Sequence, residues 1–448
     1  MSRSNNKHAG FPVQLPLAVL VALPGAYFGL AAYVGLPGVA FSPVIAAAMY
    51  GVAIIGAALI LSWAAEAAQV DINAGLALAL LALLAVLPEY AVDFVFTWKC
   101  GTVWAQGGPG LTGESNVCSL ALANMTGANR VLVGIGWPLV VFVSAFAVWR
   151  ARKAGKQPVA RQTGTSEVRL APVMSVEIVF LGIATLYSLT LPLKPNLTLW
   201  DSAIFFVIFG LYAWRLSKMA PTEPDLLGVS KWVGEQGKRP RRMWVIAMFV
   251  VSAAMILLTA EHFASNLVDA GKQLGISEFL LVQWVAPLAS ESPELVVACL
   301  YAWRLKSQNS LGALLSSKVN QWTLLVGSLP LVFAVSALTL HGLPVDMHQR
   351  YELLITAAQS LFAVAILIDR SVTFRGALAL LVLFLVQFFV SILFSQHINR
   401  MTIIGLSILY GVLAIGQLGW HYRKAWRVIK DGTVTPFAQL SDDPESRR

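Results

Sequence analysis

Charge is scarce in this chain. Of 448 residues, only 12% are Asp, Glu, Lys or Arg, while 57% are hydrophobic. A soluble domain carries about 25% charged residues. A soluble enzyme and a disordered chain are therefore both excluded. Cysteine is scarcer still, and three residues do not make a disulfide scaffold. No Walker motif is present to cradle a nucleotide phosphate, which argues against an ATP-driven pump. No Ser/His, paired Asp or HExxH pattern points to an intramembrane enzyme. The class that remains is a polytopic membrane protein, and its net charge of +9 reads as loop charge and not as a nucleic-acid surface.

Long apolar runs are what the chain has instead. A spanning helix needs about 20 mostly apolar residues. Twelve segments qualify: 11–35, 41–64, 74–98, 118–149, 173–193, 199–216, 243–270, 277–304, 311–340, 350–369, 374–396 and 401–422. The first is too long for a signal-peptide core and is expected to stay on the protein. With the N-terminus inside, the inner stretches hold 25 of the 32 Lys and Arg residues, six of them at 150–172, seven at 215–242 and six at 421–448. The outer loops hold Lys99, Lys194, Lys272, Arg350 and Arg400, and Arg130 and Lys318 fall inside spans. This bias predicts both termini in the cytoplasm of a cell (inner) membrane protein. The polar stretches 150–172 and 217–242 read as solvated linkers.

The chain repeats itself. AVLPEYAVDFVFTWK (85–99) precedes ALANMTGANRVLVGIGWPLVVF (121–142), and ASESPELVVACLYAWR (289–304) precedes GALLSSKVNQWTLLVGSLPLVF (312–333). Each copy has Pro-Glu inside an apolar helix, then a polar patch, then a glycine-containing run ending in Pro. Five helices lie in each copy. Five is odd, so the copies enter the membrane from opposite sides, a layout found in secondary transporters with a midplane site. The expected fold is an all-α membrane protein of about twelve spanning helices, with a 5+5 inverted-repeat core and one extra helix at each end. The expected divisions are 1–40 (extra helix), 41–216 (first repeat), 217–242 (cytoplasmic linker), 243–396 (second repeat) and 397–448 (extra helix and tail).

The repeats carry hard-cation chemistry. Pro88 and Pro293 each free the carbonyl four residues earlier, at Leu84 and Ala289. Glu89 and Glu294 follow them, and a carboxylate at mid-bilayer costs about 2.5 kcal/mol or more. A bound cation would supply the compensation, since Ca²⁺ takes carboxylate, carbonyl and amide oxygens. Asp93 lies one helical turn from Glu89, and Glu291 one turn from Glu294. Neutral oxygens come from Asn124, Thr126 and Asn129 in the first copy and from Ser290, Ser316, Ser317, Asn320, Gln321 and Thr323 in the second. Gly127, Gly134 and Gly136 would let helices approach closely.

These stretches resemble the two alpha repeats of the cation/calcium antiporter superfamily, to which the sodium/calcium exchangers belong. Pro88-Glu89 and Pro293-Glu294 match the end of that family's first motif, and Asn124-Met-Thr-Gly127-Ala-Asn129 matches its second. The resemblance implies ten core helices, antiport by alternating access, and Glu89 and Glu294 as central cation ligands. Ala85-Val86 stands where the family usually has Thr-Ser, and Ser290-Glu291 stands there in the second copy. The function expected is exchange of Ca²⁺ or Na⁺ for Na⁺ or H⁺ within a lipid bilayer, with no cofactor, no catalysis and no nucleic-acid partner. The alternative is a non-transporting scaffold whose charges are locked in ion pairs.

The remaining charges get plainer readings. Lys318 and Arg130 are placed to neutralise carboxylates, Lys318 through a cation-sensitive salt bridge and Arg130 through Asp93. Glu177, Asp201 and Glu261 lie near helix ends and read as facing water. His262 and His341 read as interface histidines, and Trp98, Trp104, Trp200 and Trp303 as belt residues. Cys100 and Cys118 flank one outer loop. Their pairing depends on a Cα separation under about 7 Å.

Overall fold

A computed structural model describes residues 11–36, 41–71, 87–107, 117–155, 167–219 and 226–441. The fold is a helical bundle. Its helices are α1 (Gln14–Val34), α2 (Pro43–Ala68), α3 (Leu87–Ala105), α4 (Val117–Lys153), α5 (Ser175–Ser188), α6 (Leu199–Leu216), α7 (Gly228–Gly234), α8 (Lys238–Leu274), α9 (Glu278–Trp303), α10 (Ser307–Ala337), α11 (Met347–Ile366), α12 (Phe374–Leu393), α13 (Gln396–Trp420), α14 (Tyr422–Thr433) and α15 (Phe437–Ser441). Among the described residues, strand pairing is confined to two short antiparallel clips, 167–169 with 371–373 and 196–197 with 343–344.

Among the described residues, ten helices are long and apolar enough to cross a membrane. The chain is an integral multi-pass membrane protein. Two predicted spans are not among the ten. The span 74–98 is described only from Leu87 onward, so the carbonyl of Leu84 and the Ala85-Val86 pair lie outside the described residues. The span 277–304 is present as α9, Glu278–Trp303.

Two helices run past their apolar windows. At 37 residues, α8 is about 55 Å long, against about 30 Å of hydrocarbon. It takes in residues 238–242, which the sequence reading gave to the linker. Hydropathy marks where a helix meets lipid and not where it ends. Pro240 is tolerated there because the first-turn N–H groups have no partner within the helix. Nor is the linker wholly solvated. In α7, Val229 and Val233 are buried against Leu15, Ala64 and Ala67. Ser230 donates to Glu66 (2.5 Å), and Arg241 grips Asp71 through two bonds of 2.9 and 2.7 Å.

The repeat-bearing helices pack across the halves. α9 lies on α4, α3 lies on the second part of α10, and α2 runs along α8. Small residues set these distances. A Cβ on Gly127 would stand 1.7 Å from the Gln283 carbonyl oxygen, and one on Gly134 would meet the Phe384 ring at 2.4 Å. The close approach expected at both glycines is present. Cys100 and Cys118 form a disulfide with Cα atoms 4.6 Å apart, which ties α3 to the start of α4. Gln349, in the capping box of α11, donates to the carbonyls of Cys118 and Ser119 at 2.7 and 2.8 Å.

Candidate functional site

The site is built by α3, α9 and α10. Glu89 lies in the first turn of α3, Glu291 and Glu294 lie one turn apart on α9, and Gln321 opens a five-residue π segment, Gln321–Leu325, within α10. Glu89, Glu291 and Glu294 each bring a carboxylate oxygen within 4.8 Å of the others. The Gln321 amide spans two of them. Its Nε2 donates to Glu89 Oε2 at 3.3 Å and to Glu291 Oε1. Glu89, Glu291 and Gln321 are fully buried.

The oxygens left over are the informative part. Glu89 Oε1, Glu291 Oε2, Glu294 Oε2 and Gln321 Oε1 are buried with no hydrogen-bond donor. Ionised carboxylates only accept. Three within 4.8 Å of one another need protons or a cation to balance them in a low-dielectric interior. Clustered carboxylate and amide oxygens are the donor set of a hard cation.

The other predicted ligands divide. Asp93 sits one turn along α3 and accepts from the Asn124 amide at 3.0 Å, while Asp93 Oδ2 and Asn124 Oδ1 remain without a donor. Asp93 is not part of the 4.8 Å carboxylate group. Asn320 Oδ1 accepts from the Tyr90 hydroxyl at 3.4 Å. Ser290 bonds back to the Ala286 and Pro287 carbonyls, and Thr126 and Thr323 to carbonyls of their own helices. Asn129 donates to the Met125 carbonyl, and its Oδ1 accepts from Lys318.

The buried cations behave differently from the sequence reading. Lys318 does not salt-bridge a site carboxylate. Its ammonium donates to the backbone and side-chain oxygens of Asn129 at 2.8 and 2.7 Å. Arg130 pairs not with Asp93 but with Glu352 of α11, at 2.7 Å and fully buried, and stacks on the Trp284 ring at 4.7 Å. Both results have one cause. Helical spacing fixes which face of its own helix a side chain occupies but not which neighbour that face meets, and here Lys318 meets α4 and Arg130 meets α11. Glu177 and Asp201 do not face water either. Both are buried, Asp201 in a 2.5 Å ion pair with Lys194. Glu261 accepts from Tyr33 at 2.8 Å on the exposed surface. His262 lies between the rings of Tyr33 and Tyr50, and His341 stacks on Trp104.

Three features escaped the sequence reading. Glu352 stands at the third position of the predicted span 350–369, where a charge reads as a helix-end residue. Gln283, eight residues before Glu291 on α9, is fully buried with both amide atoms unpartnered. Its spacing placed it on the carboxylate face and was readable. The third is a pair of π segments, Leu132–Gly136 in α4 and Gln321–Leu325 in α10, each beginning three residues after Asn129 or Lys318. Such insertions recur at functional sites because they turn side chains out of the regular register.

Helical membrane architecture and a buried carboxylate cluster together define an ion-handling membrane protein. The family model described as "Sodium/calcium exchanger protein" matches residues 42–218 and again 244–419, and the chain belongs to that family. It is similar to the crystal structure of the H+/Ca2+ exchanger CAX, with 37% identity over 96% of this chain and 97% of that one and a TM-score of 0.79. It also shares its fold with native YfkE, at 15% identity over 87% of this chain and 99% of that one and a TM-score of 0.55. No curated protein matches the chain.

Proposed function

We propose that this protein is a secondary active antiporter that exchanges Ca²⁺ for H⁺, using the Glu89, Glu291 and Glu294 cluster as its cation site. The observation that carries the reading is the set of donor-less buried oxygens on those three glutamates and Gln321. Protons and a divalent cation compete for the same oxygens. Filling the site with one therefore expels the other, which is the minimum an exchanger needs. Similarity to an H+/Ca2+ exchanger at 37% identity supports H⁺ over Na⁺ as the counter-ion. Asp93 and Asn124 tune or extend the site from α3 and α4.

Exchange also requires the site to open to each side in turn. In our reading residues 41–216 and 243–396 are inverted repeats that rock against one another around the cluster. The family model matching each half separately supports this. The termini lie in the cytoplasm, as the basic loops favour, and the membrane is the cell membrane. The scaffold alternative loses ground because, among the described residues, no ion pair engages Glu89, Glu291 or Glu294. The buried arginine is taken by Glu352 instead.

The test is a flux assay in proteoliposomes with an imposed pH gradient. The parent protein is expected to move Ca²⁺ against H⁺, and Glu89→Gln and Glu294→Gln to abolish it while remaining folded. No Ca²⁺ flux in the parent under any H⁺ or Na⁺ gradient would restore the scaffold reading.

A further inference from the structure

Helix α14 follows α13 after a single bend at His421 and carries three distinct faces. The first is docked. Val428 and Gly432 are buried, and a Cβ on Gly432 would stand 2.5 Å from the Ser175 carbonyl of α5. Arg215 of α6 clamps the end of α14 through the carbonyls of Asp431, Gly432 and Thr435, and Lys424 pairs with Asp369 at 3.4 Å. The second face is apolar and exposed. Tyr422, Trp426 and Ile429 follow i, i+4, i+7 spacing and are 61%, 71% and 43% exposed. The third is basic. Arg423, Arg427 and Lys430 flank that apolar stripe on one side.

A helix docked on one face normally turns charge toward water on the opposite one. Here the basic face does lie opposite the docked one, but between the two runs an exposed aromatic stripe. The stripe is also continuous with the last turn of α13. Leu418, Tyr422, Arg423, Ala425, Trp426 and Ile429 line one groove of about 600 Å³, and Trp420 above it is 85% exposed. α13 is a spanning helix by length and apolarity, so its exposed face meets lipid, and the groove extends that lipid-facing surface into α14. Aromatic residues beside Lys and Arg on a helix lying in the interface plane match the chemistry of anionic headgroups over acyl chains.

We propose that α14 is an interfacial helix that binds anionic phospholipid. The Tyr422, Trp426 and Ile429 stripe enters the acyl boundary, and Arg423, Arg427 and Lys430 hold the headgroup phosphates. Its docked face touches α5 and the Asp369 end of α11, and α11 carries the Glu352 that pairs with Arg130. Lipid on α14 is thereby placed against helices of the bundle and not against a loose tail.

The experiment uses the full-length chain with Cys299→Ser and Ile429→Cys, labelled with an environment-sensitive fluorophore at position 429. It is reconstituted in phosphatidylcholine vesicles containing equal fractions of brominated phosphatidylcholine or brominated phosphatidylglycerol. The expected result is stronger quenching by brominated phosphatidylglycerol, weakening with added salt. Each glutamine replacement of Arg423, Arg427 or Lys430 is expected to reduce that preference about fivefold. The salt titration needs no charge substitution and stands even if the variant with all three positions replaced by glutamine does not fold. Equal quenching by both lipids, no quenching at all, or a preference that survives both salt and the triple replacement would overturn the proposal. So would cross-linking of position 429 to a second copy, which would assign the stripe to a protein interface.

Discussion

Lys318 of α10 donates to Asn129 of α4 twice, once to its backbone oxygen at 2.8 Å and once to its side-chain oxygen at 2.7 Å. Each residue stands three positions before a π segment of its own helix. A π insertion interrupts the i→i−4 ladder, so a backbone carbonyl beside it benefits from an outside donor. Lys318 supplies one across the interface between the two halves.

Lys318→Met is accordingly expected to loosen the α4–α10 contact. A double-mutant cycle with Asn129→Ala, read by thermal unfolding in detergent, should give a coupling of about 1.5–3 kcal/mol, the range for hydrogen bonds to charged groups. Additive effects of the two replacements would show that the contact carries no energy.

The Arg130–Glu352 pair is fully buried, so removing one partner strands the other. Arg130→Met is expected to cost about 3–5 kcal/mol. Arg130→Met with Glu352→Leu should recover most of that loss, because a buried pair replaced by apolar groups is often neutral. Equal destabilisation by the single and double variants would contradict the assignment.

Gly127 admits the Gln283 carbonyl oxygen of α9 to within 1.7 Å of where a Cβ would stand. Both groups belong to continuous helices, so Gly127→Ala has to push α4 and α9 apart beside the carboxylate cluster. Lower thermal stability and loss of Ca²⁺ flux are expected together. Gly416→Ala on α13 is the control, since nothing lies within 4 Å of its added Cβ. It should be neutral or stabilising by up to about 1 kcal/mol.

Asp71, just past the end of α2, gives a pH dependence outside the membrane. Its hydrogen bonds with the Arg241 guanidinium hold its carboxyl below the ordinary value of 3.8. A depressed folded-state value contributes stability that is present above the unfolded value and lost as pH falls through the folded one. The melting-temperature gap between wild type and Asp71→Asn should therefore be constant at neutral pH and close below 3.8. A gap independent of pH would mean that the Arg241 contact is not electrostatic.

By itself, the sequence determined the class of protein, the placement of most spans and the three glutamates that come together in one cluster. Apolar runs respond to lipid wherever they sit in the chain, and a mid-span glutamate after proline is costly enough to require a purpose. It also placed Glu291 one turn from Glu294, because helical spacing is local. It marked Gln321 among the candidate oxygens but not its position between Glu89 and Glu291. Only the tertiary structure decided which faces meet. It gave Arg130 to Glu352 instead of Asp93, turned Lys318 onto Asn129, closed Cys100 on Cys118 and folded part of the linker onto α2. Each of these joins residues from separate helices, and the rotation and offset of one helix against another arise from packing across the whole bundle, which no short stretch of sequence encodes.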